Sequence, residues 1–414
     1  MNNKKRNSYE LDIESVAYGG AGVGRREDGK VVFVKYAMPG ERVLVREKKE
    51  RSDYVRAELI KVLRSSQDRV ESNCLLPVGV DGVGNPCFAK TPGCVYQEYK
   101  YEAELEAKNR QFISFVGSDC NILEPVPAPE ILHYRNKIVL HVTDDHGDIS
   151  LGYKEGEGGE ALDMDGCPLA NVAINETLCE VRRDPGFKKT IREGMTFTLR
   201  HTENDGVKYW RNSPPANASW LKESTTLGLI SVPLGGFFQV NPAVADILIK
   251  KVQEEIKKIK PESVIDLYCG CGLFSVAAGQ AGVDIVTGLD SDEAAIQAAS
   301  YNAGQHGIKD AEFIANFADK GFSDVVELHK GRCGGDLSNC VLVVDPPRSG
   351  LGRRIKQALR ECDFAAIIYI SCAPDTLQRD LYSLTGSGYA VQSAQMLDMF
   401  PRTSHFESLI VLKK

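Results

Sequence analysis

Two short segments near the C-terminal end of the chain carry the residues best suited to covalent chemistry. The apolar run 341–344 is followed by an Asp-Pro-Pro turn that begins at Asp345, and the apolar run 367–370 is followed by Ser-Cys, which ends at Cys372. Because the carboxyl ends of parallel strands open on one edge of a sheet, both side chains are expected to face one ligand. A carboxylate beside a rigid turn can hold a planar, amide-like ring, and a thiolate can add to that ring. We therefore predict that Cys372 is a nucleophile.

A cofactor site is predicted in the turn that follows the apolar segment 263–268. Gly270 and Gly272 allow the backbone to approach a ligand just before a helix-like segment that begins at Leu273. Asp290 closes the next apolar segment, where a carboxylate can accept hydrogen bonds from ribose hydroxyls. The spacing also permits a nicotinamide cofactor, but the third glycine of the dinucleotide fingerprint is missing. A methyl donor, which has no pyrophosphate, fits the pattern better.

The elements that must position these residues fall into three predicted parts. Residues 1–66 contain short β-type runs separated by Gly and Pro turns, which predict a small barrel. Residues 67–236 predict a β-rich central domain, in which about 98–126 has helical character and is a candidate to pack on the catalytic domain. Residues 237–414 alternate strand and helix, which predicts a doubly wound α/β domain.

The distribution of charge favours a polyanionic partner. Residues 1–64 carry 15 Lys and Arg against 10 Asp and Glu, whereas the rest of the chain carries 35 against 47. A basic module joined to an acidic body is typical of nucleic-acid binding, although a merely soluble small domain remains an alternative.

The cysteines and the N-terminal residues predict the compartment. The chain has twelve cysteines, a charged N-terminus without a following apolar run, and no apolar stretch long enough to span a bilayer. We therefore expect reduced thiols, a cytoplasmic location, no membrane association and a monomer.

The N-terminal segment resembles a TRAM domain, an OB-like RNA-binding module. It has a glycine loop at 18–25 and aromatic residues that could stack on bases, namely Tyr18, Phe33 and Tyr36. The alternative is that the aromatic rings fill the barrel core, as we expect at least for Phe33. Candidates to track phosphates are Arg25, Arg26, Lys35, Arg46, Lys48, Lys49 and Arg51.

Motifs along nearly the whole chain resemble those of the RNA 5-methyluridine (uracil-C5) methyltransferase family. The matching segments are YRNK at 134–137, FQVNP at 238–242, DLYCG at 266–270, DPPR at 345–348, SC at 371–372 and FPRTSHFE at 400–407. The resemblance implies a Rossmann-like class I methyltransferase domain, an N-terminal TRAM barrel and a β-rich central domain. It also implies S-adenosyl-L-methionine as cofactor and RNA as substrate, with 23S ribosomal RNA favoured over transfer RNA.

The same resemblance implies roles for individual residues. Cys372 adds to uracil C6, Glu407 removes the C5 proton, and Asp345 hydrogen-bonds the uracil edge or the methyl donor. Arg348 and Arg379 are candidates to hold flanking phosphates. The residues implied in cofactor binding are Gln239, Tyr268, Gly270, Gly272, Leu273, Asp290, Asn316 and Asp345.

Some positions depart from the family pattern. Leu273 and Phe317 stand where polar residues that contact the donor are expected, Asp290 replaces the more usual Glu, and Ala373 follows the nucleophile where Asn is common.

Two rival functions remain to be weighed. A methyltransferase acting on nitrogen would need no nucleophile, and a catalytically silent RNA-binding protein would need only the barrel. The presence of Cys372, Asp345 and Glu407 argues against both.

Four cysteines are candidate ligands of a [4Fe-4S] cluster, because many family members bind one with three closely spaced cysteines and a distant fourth. The candidates are Cys74, Cys87, Cys94 and Cys167. Their spacing is wider than the family pattern, and a zinc site or unliganded thiols are the alternatives.

Overall fold

The computed structural model describes residues 7–72, 75–80, 86–90, 93–145, 148–154 and 159–414. The chain packs as two compact units. Unit 1 comprises Met1–Gln111, Tyr153–Asp163 and Phe400–His405, and unit 2 comprises Phe112–Gly152, Met164–Met399 and Phe406–Lys414.

The N-terminal part of unit 1 is a six-stranded sheet with the order β1-β5-β6-β4-β3-β2. Its core is formed by alternate apolar side chains, so that Val32 and Val34 are buried while Phe33 between them is only half-buried on the opposite face. The strands are β1 (Ser8–Asp12), β2 (Ser15–Val16), β3 (Ala21–Arg25), β4 (Val31–Lys35), β5 (Arg42–Glu50) and β6 (Tyr54–Arg64). These strands confirm the predicted β-rich N-terminal segment.

A hairpin and a helix follow the six-stranded sheet. The strands β7 (Leu75–Val80) and β8 (Pro86–Lys90) pair antiparallel, and the helix is α1 (Tyr101–Val116). The helix lies within the segment near residues 98–126 for which the sequence predicted helical character. Its residues up to Gln111 pack in unit 1, and those from Phe112 pack in unit 2.

The central region contains a mixed set of strands and two helices. Four of its strands lie in the order β10-β9-β12-β13, and β14 and β15 form a separate antiparallel hairpin. The elements are β9 (Lys137–Asp145), β10 (Asp148–Lys154), β11 (Ala161–Asp163), α2 (Val172–Arg183), α3 (Pro185–Lys188), β12 (Thr196–Thr202), β13 (Gly206–Arg211), β14 (Leu221–Thr225) and β15 (Gly228–Val232). The β-rich expectation did not include the helix α2.

The C-terminal region is a seven-stranded sheet with the order β18-β17-β16-β19-β20-β22-β21. Five strands pair in parallel, namely β16 to β20, and β22 pairs antiparallel with both of its neighbours. The elements are α4 (Pro242–Ile259), β16 (Ser263–Leu267), α5 (Leu273–Gln280), β17 (Ile285–Asp290), α6 (Glu293–Gln305), β18 (Asp310–Ala315), α7 (Ala318–Arg332), β19 (Cys340–Val344), α8 (Arg353–Ala358), β20 (Ala366–Ser371), α9 (Pro374–Thr385), β21 (Ala390–Leu397) and β22 (Glu407–Lys413).

The burial of the parallel strands explains their sequence. Every residue of β16, β19 and β20 is buried, which is why each strand is a nearly continuous apolar run. The strand order reverses between β16 and β19, and at such a switch point a crevice opens beyond the carboxyl ends of the strands. The predicted doubly wound α/β fold is therefore confirmed. Within the described residues, no helix combines the length and apolarity that a membrane span requires.

Candidate active site

A pocket lies at the switch point, beyond the ends of β16 and β19. We call it the cofactor cradle; it is lined by Phe237, Phe238, Gln239, Tyr268, Cys269, Gly270, Cys271, Leu273, Phe274 and Asp345. Five of the residues implied in cofactor binding therefore share one pocket. The two aromatic residues that precede Gln239 were not predicted, because Phe237 and Phe238 belong to a loop without regular structure.

The floor of the cofactor cradle is a turn in left-handed backbone conformation. Gly270 and Gly272 have φ angles of 51° and 81°, and a Cβ added at Gly272 would lie 3.0 Å from the Cβ of Ala299. Tyr268 also has a positive φ of 66°, which is strained for a residue with a bulky side chain. Gly272 precedes the N-terminus of the buried helix α5. The turn thus presents backbone rather than side chains to a ligand.

The rim of the cradle is held by Asp290 at the end of β17. Its Oδ2 accepts a hydrogen bond from the Gly270 N–H at 2.9 Å, and its Oδ1 accepts one from the Asp292 N–H at 3.0 Å. The Asn316 N–H donates to the Asp290 carbonyl at 2.8 Å, so the end of β18 is fixed to the same residue. Phe317, which follows, is 64% exposed. A carboxylate keeps free lone pairs after these two bonds, so Asp290 can still accept hydrogen bonds from hydroxyls.

The three predicted catalytic side chains lie at neighbouring strand ends. Asp345 follows β19, Cys372 follows β20, and Glu407 begins β22. The Cα atoms of Ser371 and Ser408 are paired across β20 and β22, which places Cys372 beside Glu407. Glu407 is only 3% exposed, and its Oε1 has no hydrogen-bond partner.

The amide of Gln239 connects the cradle with these three side chains. Gln239 Nε2 donates to Asp345 Oδ2 at 3.4 Å, and the backbone carbonyl of Gln239 accepts a bond from Asn136 Nδ2 at 3.1 Å. Gln239 is buried, so the loop that carries it is fixed on both sides. Asp345, one of the carboxylates predicted to be catalytic, is therefore also part of the cofactor cradle.

Burial, and then repulsion between neighbouring carboxylates, raises the pKa values of the three side chains. Burial, and then the charge of Asp266, raises the pKa of Asp345 to about 7. Burial, and then the charge of Asp345, raises the pKa of Glu407 well above its usual range, although Arg348 acts in the opposite direction. Burial and the same two carboxylates raise the pKa of the Cys372 thiol to about 12, with Arg348 again opposing. Burial and the neighbouring carboxylates therefore favour the neutral forms of the Cys372 thiol and the Glu407 carboxyl group.

A buried carboxylate on α9 fixes the loop after the Asp-Pro-Pro turn. Asp380 is fully buried and accepts hydrogen bonds from Leu351 N at 2.6 Å, Lys356 Nζ at 2.9 Å and Tyr369 Oη at 2.9 Å. A Cβ at Gly350, whose φ is 71°, would lie 2.4 Å from Asp380 Oδ2. The loop therefore closes tightly on α9, and this constrains the position of the preceding Asp-Pro-Pro segment. The sequence predicted no role for Asp380.

Arg379 forms hydrogen bonds within the protein that the sequence did not predict. Its Nη2 donates to the Ser349 carbonyl at 2.7 Å and to Asp380 Oδ1 at 3.1 Å. The guanidinium that we expected to hold a phosphate thus also clamps the same loop. Arg348, by contrast, is exposed and lies beside Cys372.

A second candidate site is a cleft in unit 1, which we call the barrel cleft. It has a volume of about 1280 Å³ and is lined by Ala17, Tyr18, Gly19, Ala21, Phe33, Lys35, Tyr36, Lys48, Tyr54, Arg56, Ala57, Glu58, Leu59, Gly159, Glu160 and Leu162. The three aromatic residues predicted for base stacking all line it. The sequence did not predict Tyr54 and Arg56. The ring centres of Phe33 and Tyr54 are 5.6 Å apart, and the Arg56 guanidinium lies 5.7 Å from the centre of the Tyr54 ring.

Some of the Arg and Lys side chains predicted to bind phosphates form ion pairs within the protein. Arg26 forms ion pairs with Asp28, Glu47 and Glu50 at 2.6 to 3.0 Å. Lys48 pairs with Glu58 at 2.9 Å. The positive charge of Arg26 is thus largely compensated, so it is a weaker candidate for a phosphate contact than the sequence indicated.

The candidate cluster cysteines are only partly described. Cys94 and Cys167 are buried, whereas Cys74 and the side chain of Cys87 lie outside the described residues. Among the residues that the structure does describe, no three His, Cys, Asp or Glu side chains gather into a metal-binding group. The iron-sulfur cluster therefore stays a prediction.

The fold and the cradle define a class of protein. A seven-stranded sheet of this order, with a glycine turn after its first strand and an acidic residue at the end of the second, is that of a class I methyltransferase that uses S-adenosylmethionine. The comparisons with known proteins narrow the class. Residues 231–414 match the sequence model of the tRNA (Uracil-5-)-methyltransferase family, and residues 3–60 match that of the TRAM domain.

Individual proteins are similar to this chain over nearly its whole length. An uncharacterized RNA methyltransferase of Clostridium acetobutylicum is 28% identical over 99% of this chain and 98% of its own length. The tRNA (uracil(54)-C(5))-methyltransferase of Schizosaccharomyces pombe is 26% identical over 98% of this chain and 78% of its own length. The crystal structure of the Pyrococcus abyssi tRNA (uracil-54, C5)-methyltransferase in complex with S-adenosyl-L-homocysteine superposes with a TM-score of 0.72 at 22% identity, covering 97% of this chain and all of that chain. Residues 231–414 thus carry a domain of the tRNA (Uracil-5-)-methyltransferase family, and residues 3–60 carry a TRAM domain.

Proposed function

We propose that this protein methylates C5 of a uridine in RNA by covalent catalysis through Cys372. The observation that carries the proposal is the meeting of Cys372, Asp345 and Glu407 at three neighbouring strand ends, next to the cofactor cradle. A thiol, a partly exposed carboxylate and a buried carboxylate without a partner at Oε1 form the set that such a reaction requires.

The first half of the reaction overcomes the low nucleophilicity of uracil C5. The Cys372 thiolate forms a bond to C6, and the electron pair of the C5–C6 double bond moves into an enolate that makes C5 reactive. Asp345 holds the ring edge by hydrogen bonding, and Arg348, which lowers the pKa of the thiol, favours the thiolate. When bound, S-adenosylmethionine supplies the electrophilic methyl group that C5 takes.

The second half restores the aromatic ring. Glu407 removes the proton from C5, the electron pair re-forms the double bond, and the bond between C6 and Cys372 breaks to release the thiolate. Burial raises the pKa of Glu407, so the carboxylate is a strong base once it is ionised.

The residues of the cradle fit the proposed cofactor. The turn at Gly270 and Gly272 presents backbone to a ligand, Asp290 can accept bonds from ribose hydroxyls, and Gln239 lies next to Asp345. We propose that these residues, with Tyr268, hold the methyl donor.

For the RNA, we propose large-subunit ribosomal RNA. The TRAM domain and the four cysteines proposed as cluster ligands support this choice, by analogy with the family. Transfer RNA is the second candidate, favoured by the two similar proteins named for uracil 54 of tRNA. In either case the target base must leave its stack to reach the buried carboxylate, at a cost of a few kcal/mol.

The test uses total RNA from cells that lack the gene, which contains the unmethylated target. Purified protein with the methyl donor should form 5-methyluridine at one position, and mass spectrometry of the ribosomal and transfer RNA fractions locates it. Methylation in the transfer RNA fraction would overturn the choice of ribosomal RNA. Absence of 5-methyluridine in both fractions would overturn the activity.

We further propose that Cys74, Cys87, Cys94 and Cys167 bind a [4Fe-4S] cluster and that the domains are 1–66, 67–236 and 237–414. Methyl transfer needs no redox step, so the cluster has a structural role. Iron and sulfide analysis of protein purified without air should give four of each per chain. Stoichiometric zinc or metal-free protein would contradict the proposal.

A further inference from the structure

One wall of the cofactor cradle is a loop without regular structure. We call residues 233–241, between β15 and α4, the cradle loop; it carries Phe237, Phe238 and Gln239, which line the cradle. Because the loop belongs to no helix or strand, its backbone carbonyls need partners other than the bonds of regular structure. The position of Gln239 therefore depends on the groups that bind this loop.

One buried guanidinium binds three carbonyls of the cradle loop. Arg200 Nη1 donates to the carbonyl oxygens of Gly236 at 2.9 Å, Leu234 at 3.2 Å and Pro233 at 3.3 Å. Arg200 is 1% exposed, and its backbone is fixed because β12 pairs with β9 on one side and with β13 on the other. Hydrogen bonds from a charged donor are stronger than those between neutral groups, so the guanidinium holds this part of the loop firmly.

The charge of the guanidinium is balanced through its other terminal nitrogen. Arg200 Nη2 donates to Glu223 Oε1 at 2.8 Å, and Glu223, on β14, is 4% exposed. Burial raises the pKa of Glu223, although the hydrogen bond from Arg200 acts in the opposite direction. The two terminal nitrogens therefore have separate partners, since Nη2 pairs with the carboxylate and Nη1 binds the loop. The planar fork of arginine makes this division possible, whereas lysine has only one nitrogen.

The second half of the cradle loop is bound by Asn136. Its backbone N–H donates to the Val240 carbonyl at 3.0 Å, and its Nδ2 donates to the Gln239 carbonyl at 3.1 Å. The Asn136 carbonyl in turn accepts a hydrogen bond from the His201 N–H at 2.8 Å. Because His201 follows Arg200 on β12, this strand holds the loop both before and after the aromatic residues that line the cradle.

We propose that Arg200 is a positioning residue for binding of the methyl donor and that it acts through the cradle loop on Gln239. This inference rests on the proposed function, in which Gln239 helps to hold the donor beside Asp345. Without the three bonds from Arg200, the loop must be ordered when the donor binds, and this ordering lowers the affinity. Strand β12, which belongs to the predicted central domain, thereby contributes to the cofactor site.

The experiment measures the dissociation constant of S-adenosylmethionine by calorimetry for the full chain and its variants. Arg200→Lys keeps a charge beside Glu223 but loses the fork, and Gln239→Ala removes the amide; each should weaken binding about tenfold. In the double variant, the loss should be clearly smaller than the product of the two single losses, because Arg200 acts through Gln239. A second pair of changes, Arg200→Met with Glu223→Met, leaves no buried charge unpaired and should also weaken binding about tenfold.

Glu223→Gln separates loop position from stability. It removes the charge that balances Arg200 but leaves an oxygen for Nη2, so the bonds from Nη1 to the loop remain. The midpoint of thermal unfolding without donor should fall, whereas the dissociation constant should stay within about twofold of the wild type. A loss of affinity as large as that of Arg200→Lys would mean that affinity only follows stability, and it would overturn the positioning role.

The matched control is Arg211→Met on the neighbouring strand β13. Arg211 Nη2 donates to Thr190 Oγ1 at 2.7 Å rather than to the cradle loop, so the affinity should equal that of the wild type. Wild-type affinity in both Arg200 variants, or losses that multiply fully in the double variant with Gln239→Ala, would overturn the positioning role. Wild-type affinity in Gln239→Ala alone would instead overturn the proposed contact of Gln239 with the donor, on which the inference rests.

Discussion

Replacing the proposed uracil-binding carboxylate should stabilise the protein while abolishing its activity. Asp345 has a pKa raised from 3.8 to about 7 by burial and by the charge of Asp266. Because the pKa is higher in the folded state, the folded protein favours the protonated carboxyl group. The free energy of unfolding is therefore unaffected by Asp345 below pH 3.8, and it falls as the pH rises from 3.8 to about 7. Asp345→Asn removes this pH-dependent cost.

The size of the effect follows from the two pKa values. At 1.36 kcal/mol per pH unit, the upper limit is about 1.6 kcal/mol at pH 5 and about 4 kcal/mol at pH 8. Because Asp345 is partly exposed, we expect about half of these values. Thermal unfolding followed by circular dichroism, without methyl donor, should show the variant melting roughly 4 °C above the wild type at pH 8.

The control for this measurement is Asp375→Asn, at an exposed position in the first turn of α9. This substitution should shift the midpoint of thermal unfolding by the same small amount at pH 5 and at pH 8. The reasoning would be refuted if Asp345→Asn were less stable than the wild type at pH 8, or if its advantage did not grow with pH.

Three further changes probe other parts of the molecule. Asp380→Asn leaves Lys356 without its buried carboxylate, so we expect a loss of about 2–4 kcal/mol in urea unfolding, and a loss below about 1 kcal/mol would contradict the role of this clamp. Gly272→Ala places an alanine in left-handed backbone conformation, with its Cβ 3.0 Å from that of Ala299. Calorimetry should show that the affinity for S-adenosylmethionine falls about tenfold. An unchanged affinity would argue against the cofactor cradle as the binding site. Tyr54→Ala removes a stacking surface from the barrel cleft and should weaken binding of a single-stranded RNA by about 1–3 kcal/mol in filter binding, whereas equal binding would place the RNA elsewhere.

Much of the α/β domain could be predicted because buried parallel strands leave a strong signal. The segments that became β16, β19 and β20 are mostly apolar, since both of their faces are covered. The carboxyl ends of such strands share one edge, which is why Asp345 and Cys372 could be placed together from their positions alone. Glu407 could not, because it begins an antiparallel strand that returns to the same edge; its role came from the family resemblance.

Other structural features have only a weak local sequence signal, or no signal at all. Helix α2 carries Ile174 and Leu178 at helical spacing behind the capping residue Asn171, but it lies in a region where β-type patterns dominate. Glu104 and Lys108 have the spacing of a solvent-exposed ion pair, yet they are fully buried. Their partner Arg402 lies 298 residues from Glu104 in the chain, a separation that no local pattern can reveal.

The central claim is that Cys372 bonds covalently to the uracil ring, and RNA containing 5-fluorouridine tests it most directly. Fluorine at C5 cannot be removed as a proton, so the reaction should stop at the methylated adduct. The wild type and Cys120→Ala, which changes a cysteine outside the site, should form a detergent-stable protein–RNA complex only when S-adenosylmethionine is present, and mass spectrometry should locate the modification on Cys372. A complex formed by Cys372→Ala, or no complex from a wild type that methylates ordinary RNA, would contradict the account.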